Sequence, residues 1–408
     1  MEGHGLNLAV VVALASTLVV WALLSGRLQK WNISAPMWFV AVGFLLSRDG
    51  TGVVDVHLGS EGLRELAELT LALVLFSDAA TVNMRRLRAD AVLPARLLVV
   101  GLPLTIALGT LIAHLVMPSL GWWVCAVIGA SVAPTDAALG KAIIEDERVP
   151  SRIRRVLNVE SGLNDGIATP FVKFFLVAAV AGTALETDSE GRAIAELAVG
   201  VVGGAVVGAA IAWALQRAVT NGLGSRSYRA FGVLAAAFLG YAAVIQIHGN
   251  GFVGAFVAGL AFGAATTDGL DESLEFTHEA AELASLAVWF MFGALMVPEL
   301  ANATWRDVVF ALLALTVVRM LPVALVLLGS KLDLATVGVV GWFGPRGLAS
   351  VVFALLALDG LAPEDGSRVV VAITTTVAAS VVLHGASAAP ISARYARYGR
   401  THAVAHAD

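Results

Sequence analysis

Eight consecutive residues, Val159-Glu160-Ser161-Gly162-Leu163-Asn164-Asp165-Gly166, put two carboxylates, a hydroxyl and an amide inside an otherwise apolar stretch. On a helix, Ser161 and Asp165 are four apart and share one stripe, while Glu160 and Asn164 share the neighbouring stripe. The first stripe offers hard oxygen donors of the kind that suit Na⁺ or a similar cation. The second offers a carboxylate that an arginine can hold permanently. A second polar cluster, Pro134-Thr135-Asp136, follows the Gly-rich segment Gly129-Ala-Ser-Val-Ala and adds another hydroxyl and another carboxylate. A bare carboxylate buried among apolar side chains is disfavoured by desolvation, so it binds either a proton or a cation.

The remaining intramembrane charges are Lys173, Arg319 and Arg346. Asp136, Glu160 and Asp165 carry three negative charges and the two arginines two positive ones, which leaves room for one H⁺ or one Na⁺. Arg319, midway along an apolar run, is the favoured partner of Glu160. Arg346 reads as a clamp on the broken helix that contains it. Lys173 lies eight residues past Asp165, about 12 Å along a helix, and is expected to snorkel toward the outer interface. Asp78, close to Arg85 and Arg86, reads as an inner-mouth or structural residue. His248 falls in an outer turn and is not a ligand, and no Cys/His spacing suits a tight transition-metal site.

These residues need a membrane around them. Of 408 residues 58% are apolar and only 14% charged, with a net charge of −5, against roughly 25% charged in a soluble domain. A soluble enzyme, a disordered chain and a nucleic-acid-binding protein are excluded. The lone Cys125 sits in an apolar run and has no intrachain partner. Apolar runs predict thirteen spans, near 6–24, 36–47, 64–80, 92–116, 122–140, 155–180, 193–215, 228–247, 250–264, 281–297, 305–328, 335–357 and 368–390. The first run lacks the basic start and cleavage site of a signal peptide and counts as a span. The connecting segments alternate in charge, with 17 Lys and Arg on one side against 4 on the other. That bias predicts the N-terminus outside and the C-terminus inside. Residues 265–282 depart from it, carrying Asp268, Asp271, Glu272, Glu275, Glu279 and Glu282. They read as a solvated loop and helix start, or as an acidic collar that concentrates cations. The stripe Gly200, Gly204, Gly208 reads equally as internal packing or as a dimer face.

Two spans carry a proline in a glycine-rich centre, Gly129 to Asp136 and Gly341-Trp-Phe-Gly344-Pro345-Arg346-Gly347, with the prolines 211 residues apart. Proline breaks a helix, and such breaks survive at membrane depth only where protein or a polar cavity satisfies the freed backbone groups. Shifting the early spans by the same offset lands near later ones. The predicted architecture is therefore an all-α polytopic membrane protein with an inverted six-helix repeat, whose broken fifth and twelfth spans cross at an ion site. Residues 1–180 form the first repeat, 181–220 the linking seventh span, 221–393 the second repeat and 394–408 a short cytoplasmic tail.

Pro134-Thr135-Asp136, Glu160-Ser161-Gly-Leu-Asn164-Asp165-Gly166, Gly249-Asn-Gly-Phe-Val-Gly-Ala-Phe-Val-Ala-Gly259 and Gly344-Pro-Arg346-Gly347-Leu resemble the cation:proton antiporter-1 family, the NhaP/NHE-type sodium/proton exchangers. The resemblance implies thirteen spans, a homodimer in the plasma (inner) membrane and elevator-like alternating access. It implies that Asp165 binds the ion and the proton, with Na⁺ also held by Thr135, Asp136 and Ser161, and that a Glu160–Arg319 ion pair is steadied by Asn164. Asn164-Asp165 in place of Asp-Asp is similar to the electroneutral branch, which exchanges one cation for one proton. The short tail resembles prokaryotic members, and Gly162 stands where the family often has a bulkier residue. The expected activity is Na⁺/H⁺ exchange with no cofactor, Li⁺ being a second candidate cargo. Oxygen donors alone do not separate Na⁺ from K⁺, so a K⁺/H⁺ exchanger of the same fold is the alternative. An intramembrane aspartyl protease would also need two aspartates on adjacent spans, but its Tyr-Asp, Gly-x-Gly-Asp and Pro-Ala-Leu signatures are absent. A channel would not need an inverted repeat around one titratable carboxylate.

Overall fold

The computed structural model describes residues 8–54, 61–82, 92–144, 146–180, 187–266 and 269–405. Among them the chain is all helix and turn, with no strand. The spans are α1 (Leu8–Leu28), α2 (Ala35–Leu46), α3 (Glu61–Thr81), α4 (Val92–Val116), α5a (Trp122–Ser131) and α5b (Ala137–Ile144), and α6 (Ser151–Val180). They continue with α7 (Thr187–Thr220), α8 (Arg226–Gln246), α9 (Gly251–Ala265), α10 (Asp271–Asn302), α11a (Trp305–Leu315) and α11b (Val317–Val326), α12a (Leu334–Trp342) and α12b (Leu348–Gly360), and α13 (Pro363–Ala405). Eight of these helices are long and apolar enough to cross a membrane by length and composition. The basic segment with Arg85, Arg86 and Arg88, and Asp268 of the acidic segment, lie outside the described residues.

Both proline-centred spans are broken at the expected places. The ends differ from expectation. α13 runs on through residues 394–405, where a short tail follows the last span in the sequence reading, and α7 and α10 also extend several residues further. Hydropathy marks only the stretch that must be apolar, whereas backbone hydrogen bonding carries a helix on into water. A third interruption is new. At Thr316 the backbone leaves the helix (φ −111°, ψ −86°), and the Thr316 hydroxyl donates back to the Leu312 carbonyl at 2.6 Å, a bond that bends helices.

Two bundles result. One packs α2, α3 and α7–α10 together, and the other packs α4–α6 with α11–α13, so each draws helices from both halves of the sequence. α6 lies along the seam against α3, α7 and α9. The glycine stripe of α7 is internal. A Cβ at Gly204 would run into the backbone of Gly254, and one at Gly208 into the Ala258 carbonyl, so α7 rests on α9 through glycine. Gly208→Val is expected to lower the melting temperature of the purified protein by the equivalent of about 1–3 kcal/mol, the usual overpacking penalty. Gly338→Ala, whose Cβ meets nothing within 4 Å, serves as the silent control. Asp271 and Glu272 occupy the first turn of α10, where the helix dipole favours acids, and Glu272 pairs with Arg226 of α8. Helix start is thus the reading that the geometry of the acidic segment supports.

Candidate functional site

The broken helices meet. The Asp136 N–H donates to the Pro345 carbonyl at 2.8 Å, joining the two breaks directly. The Asp136 carboxylate accepts the Ala138 N–H on Oδ1 at 2.6 Å and the Leu348 N–H on Oδ2 at 3.1 Å. It is held between the starts of α5b and α12b, where unpaired backbone N–H groups favour an anion. Gly347 is required here, because a Cβ would overlap the Asp136 side chain.

Each break also borrows donors from elsewhere. Arg346 is fully buried and donates to the carbonyls of Ala133, Pro134 (3.2 Å) and Ala314 (3.1 Å). It therefore rises from the break in α12 to hold the break in α5, not its own helix as the sequence reading has it. Arg319 donates to the Val340 carbonyl at the end of α12a at 3.3 Å and packs its guanidinium against Gly344.

The Glu160–Arg319 pair is present and bidentate, at 2.5 and 2.9 Å, with 4% and 5% of the two side chains exposed. Such a pair matches planar fork to planar carboxylate. Asn164 does not steady it. Its amide donates to the Thr135 hydroxyl at 2.6 Å, and Thr135 Oγ1 lies 3.1 Å from Ser161 Oγ. The three polar groups thus form a buried chain that draws the break in α5 onto α6. A short amide on α6 reaches the helix packed beside it, whereas the guanidinium already meets both oxygens of Glu160.

Asp165 is different from its neighbours. It is partly exposed, and its carboxylate makes no hydrogen bond or ion pair with the described residues. It is close enough to Asp136 and Asp78 for the charges to interact. Asp78 was not among the sequence candidates for the site, yet its Cβ lies 3.6 Å from where a side chain at Gly162 would begin, and its charge also meets that of Asp136. Gly162 thus leaves Asp78 open to the cluster. On its other flank Asp78 Oδ1 is 3.9 Å from His278 Nδ1 of α10, which in turn lies 3.3 Å from Ser77 Oγ. The four-residue spacing of Ser161 and Asp165 is legible in sequence; the approach of Asp78 is not, because α3 and α6 meet only by packing. Lys173 stands apart from the carboxylates, with its ammonium 5.9 Å from the Phe252 ring centroid.

Among the described residues no three His, Cys, Asp or Glu side chains converge on a chelating geometry. What does converge is one unpartnered carboxylate, a second carboxylate held by backbone amides, and two hydroxyls. That arrangement can bind a weakly held cation or a proton in exchange, with the breaks providing polar backbone nearby.

The fold matches that of the sodium proton antiporter MjNhaP1 from Methanocaldococcus jannaschii, with a TM-score of 0.77 over 96% of this chain and all of the other, at 19% identity. Curated relatives include the K(+)/H(+) antiporter NhaP of Alkalimonas amylolytica, 24% identical over 96% of this chain, and the Na(+)/H(+) antiporter of Schizosaccharomyces pombe, 26% identical over 67% of it. The chain spans 67% and 65% of the lengths of those two relatives, and 62% of the K(+)/H(+) antiporter NhaP2 of Shewanella oneidensis. Residues 13–394 match the family model described as sodium/hydrogen exchanger, transmembrane. With most of its length matched by that model and a broken-helix crossing at its centre, the chain belongs to the sodium/hydrogen exchanger transmembrane family.

Proposed function

We propose that the protein is a secondary transporter that exchanges Na⁺ for H⁺ one for one, with Asp165 carrying either ion in turn. The observation that carries this reading is the unpartnered Asp165 carboxylate at the seam, beside the Thr135–Ser161 hydroxyl pair and Asp136. Thr135, Ser161 and Asp136 join Asp165 around the cation, while Glu160, Arg319, Asn164 and Arg346 keep the crossing rigid. The relatives named as K(+)/H(+) antiporters support K⁺ as the alternative cargo. The deciding test is a cation series (Na⁺, Li⁺, K⁺) added to proteoliposomes that carry a pH gradient and an entrapped pH dye. Dequenching by Na⁺ or Li⁺ but not K⁺ supports the proposal; dequenching by K⁺ alone replaces it with K⁺/H⁺ exchange.

The protein works in the plasma membrane as a homodimer with its N-terminus outside, as the Lys/Arg bias and the family resemblance support. Access alternates across the seam. At the end of α3 beside Asp78, over half of the His278 side chain of α10 is exposed. About 21 Å away along α3, Arg64 bridges to Asp359 of α12b and to Glu68, which Tyr241 of α8 also contacts at 2.8 Å. The conformation described is therefore read as open to the cytoplasm and closed outside.

If one net negative charge shuttles, neutralised by H⁺ one way and Na⁺ the other, the membrane potential does no work on the cycle. In vesicles with a K⁺ gradient and valinomycin, a potential of 100 mV is worth about 2.3 kcal/mol per net charge moved. The Na⁺/H⁺ reversal point should not move, and the rate should be bell-shaped in pH, because protons compete when abundant and run out when scarce. A reversal point that follows the potential would bring a second titrating group into the cycle, with Asp78 the first to mutate.

A further inference from the structure

The break in α12 leaves backbone groups that Arg319 and Arg346 do not reach, and a stripe of α13 takes two of them. Ser380, His384 and Ser387 recur at four and three residues, so they share one face of α13. His384 Nε2 lies 3.0 Å from the Trp342 carbonyl, the last residue of α12a. A carbonyl only accepts, so Nε2 carries the hydrogen. Nδ1 lies 3.1 Å from both the Ser380 hydroxyl and the Ser380 carbonyl, so the ring is joined to Ser380 through both. The Ser380 hydroxyl oxygen accepts the backbone N–H of Arg346 at 2.7 Å. On the same face the Trp342 indole N–H donates to Ser387 Oγ at 2.9 Å. The imidazole is 1% exposed and lies against the Trp342 ring at 4.9 Å between centroids. Arg346 and Arg319 are near enough for their charges to act on it. A second proton on the ring would place a third cation in that pocket beside the two guanidinium groups, which Coulomb repulsion opposes.

The chain of bonds runs along the interruption of α12, tying residue 342 at the end of α12a to residue 346 within the break. Between and just beyond these two anchors lie the groups that hold Asp136: the Pro345 carbonyl that accepts its N–H, and the Leu348 N–H that donates to its carboxylate. Gly347, pressed against the same carboxylate, leaves no slack. We propose that His384, acting through Ser380, is a positioning residue for the transported cation: it sets the register of the α12 break and thereby places the Asp136 carboxylate. His384 touches neither ion, and it carries no proton in the cycle. The inference rests on the reading of Asp136 as a cation ligand.

The test uses the full-length protein in proteoliposomes, with NaCl and KCl as the cation probes and a pH dye as the readout. His384→Ala should raise the cation KM by about 10-fold, the equivalent of one lost hydrogen bond, with the rate at saturating cation within about 2-fold of wild type. His384→Gln, whose side-chain amide can still donate to the Trp342 carbonyl, should bring KM back to within about 2-fold and keep the wild-type pH profile. Ser380→Ala, a smaller change, should raise KM in the same direction and stands in if His384→Ala does not fold. Asp136→Asn should raise KM on its own, and His384→Ala should add little to it. A wild-type KM in both His384→Ala and Ser380→Ala, or no rescue by Gln, overturns the proposal. So does a pH profile that shifts in His384→Gln, which would make the imidazole a titrating group. A wild-type KM in Asp136→Asn instead overturns the reading of Asp136 as a ligand, and is distinguishable because the His384 variants are read separately.

Discussion

Asp165→Asn is expected to fold, to insert and to carry no measurable cation-driven proton flux. The substitution keeps the size and the hydrogen-bonding outline of the side chain, so packing at the seam is undisturbed. What it removes is a carboxylate that has neither a proton donor nor a cation beside it among the described residues. Asp136 is committed to the N–H groups of Ala138 and Leu348, and Glu160 to Arg319. An amide releases no proton and offers a cation no charge, so both half-cycles stop. The check is paired: Na⁺-driven dequenching in vesicles, and the melting temperature of the purified protein. Flux lost with melting unchanged is the expected result. Flux retained at more than a few per cent of wild type would transfer the carrier role to another carboxylate, with Asp78 and Asp136 within electrostatic reach.

The second large effect belongs to the Glu160–Arg319 pair. Both side chains are almost wholly buried and both terminal guanidinium nitrogens, Nη1 and Nη2, are used on the carboxylate. Removing either partner strands a buried charge, which destabilises by about 3–5 kcal/mol. Arg319→Ala should be the worse of the two single substitutions, because it also frees the Val340 carbonyl at the end of α12a, worth about 0.5–1.5 kcal/mol. The double variant Glu160→Ala/Arg319→Ala leaves no stranded charge and should lose much less than the sum. Arg319→Lys should fall between, since an ammonium cannot match both oxygens at once. Thermal or denaturant unfolding in detergent measures all four. Additive losses would mean that the two residues stabilise the fold independently, and would leave the crossing without its clamp.

The helical architecture was legible because a bilayer offers backbone groups no partner, so crossings are built from apolar helices, eight of which are long apolar runs by themselves among the described residues. The two prolines 211 residues apart declared the breaks for a related reason: proline removes an N–H wherever it falls. Within α6, Ser161 with Asp165 and Glu160 with Asn164 sorted onto two stripes, because helical spacing is a property of the backbone and not of the neighbours.

Partners across the seam were another matter. Composition offered Glu160 two arginines, and the apolar run around Arg319 favoured it; that its guanidinium meets both oxygens of a carboxylate 159 residues away is decided by packing. Arg346 turned out to serve the opposite break, and Asn164 served Thr135 instead of the ion pair. The glycine stripe of α7 declared close contact, but its partner α9 was decided by how the bundle closes. Asp78 and His384 were visible as residues and silent as participants. Asp78 joins the cluster because α3 crosses α6 at Gly162, and His384 matters because α13 runs past the gap between α12a and α12b. Local periodicity is set by 3.6 residues per turn and survives any context. A contact between segments more than a hundred residues apart exists only once helices have packed at particular depths and rotations, and that information is held by the tertiary structure alone.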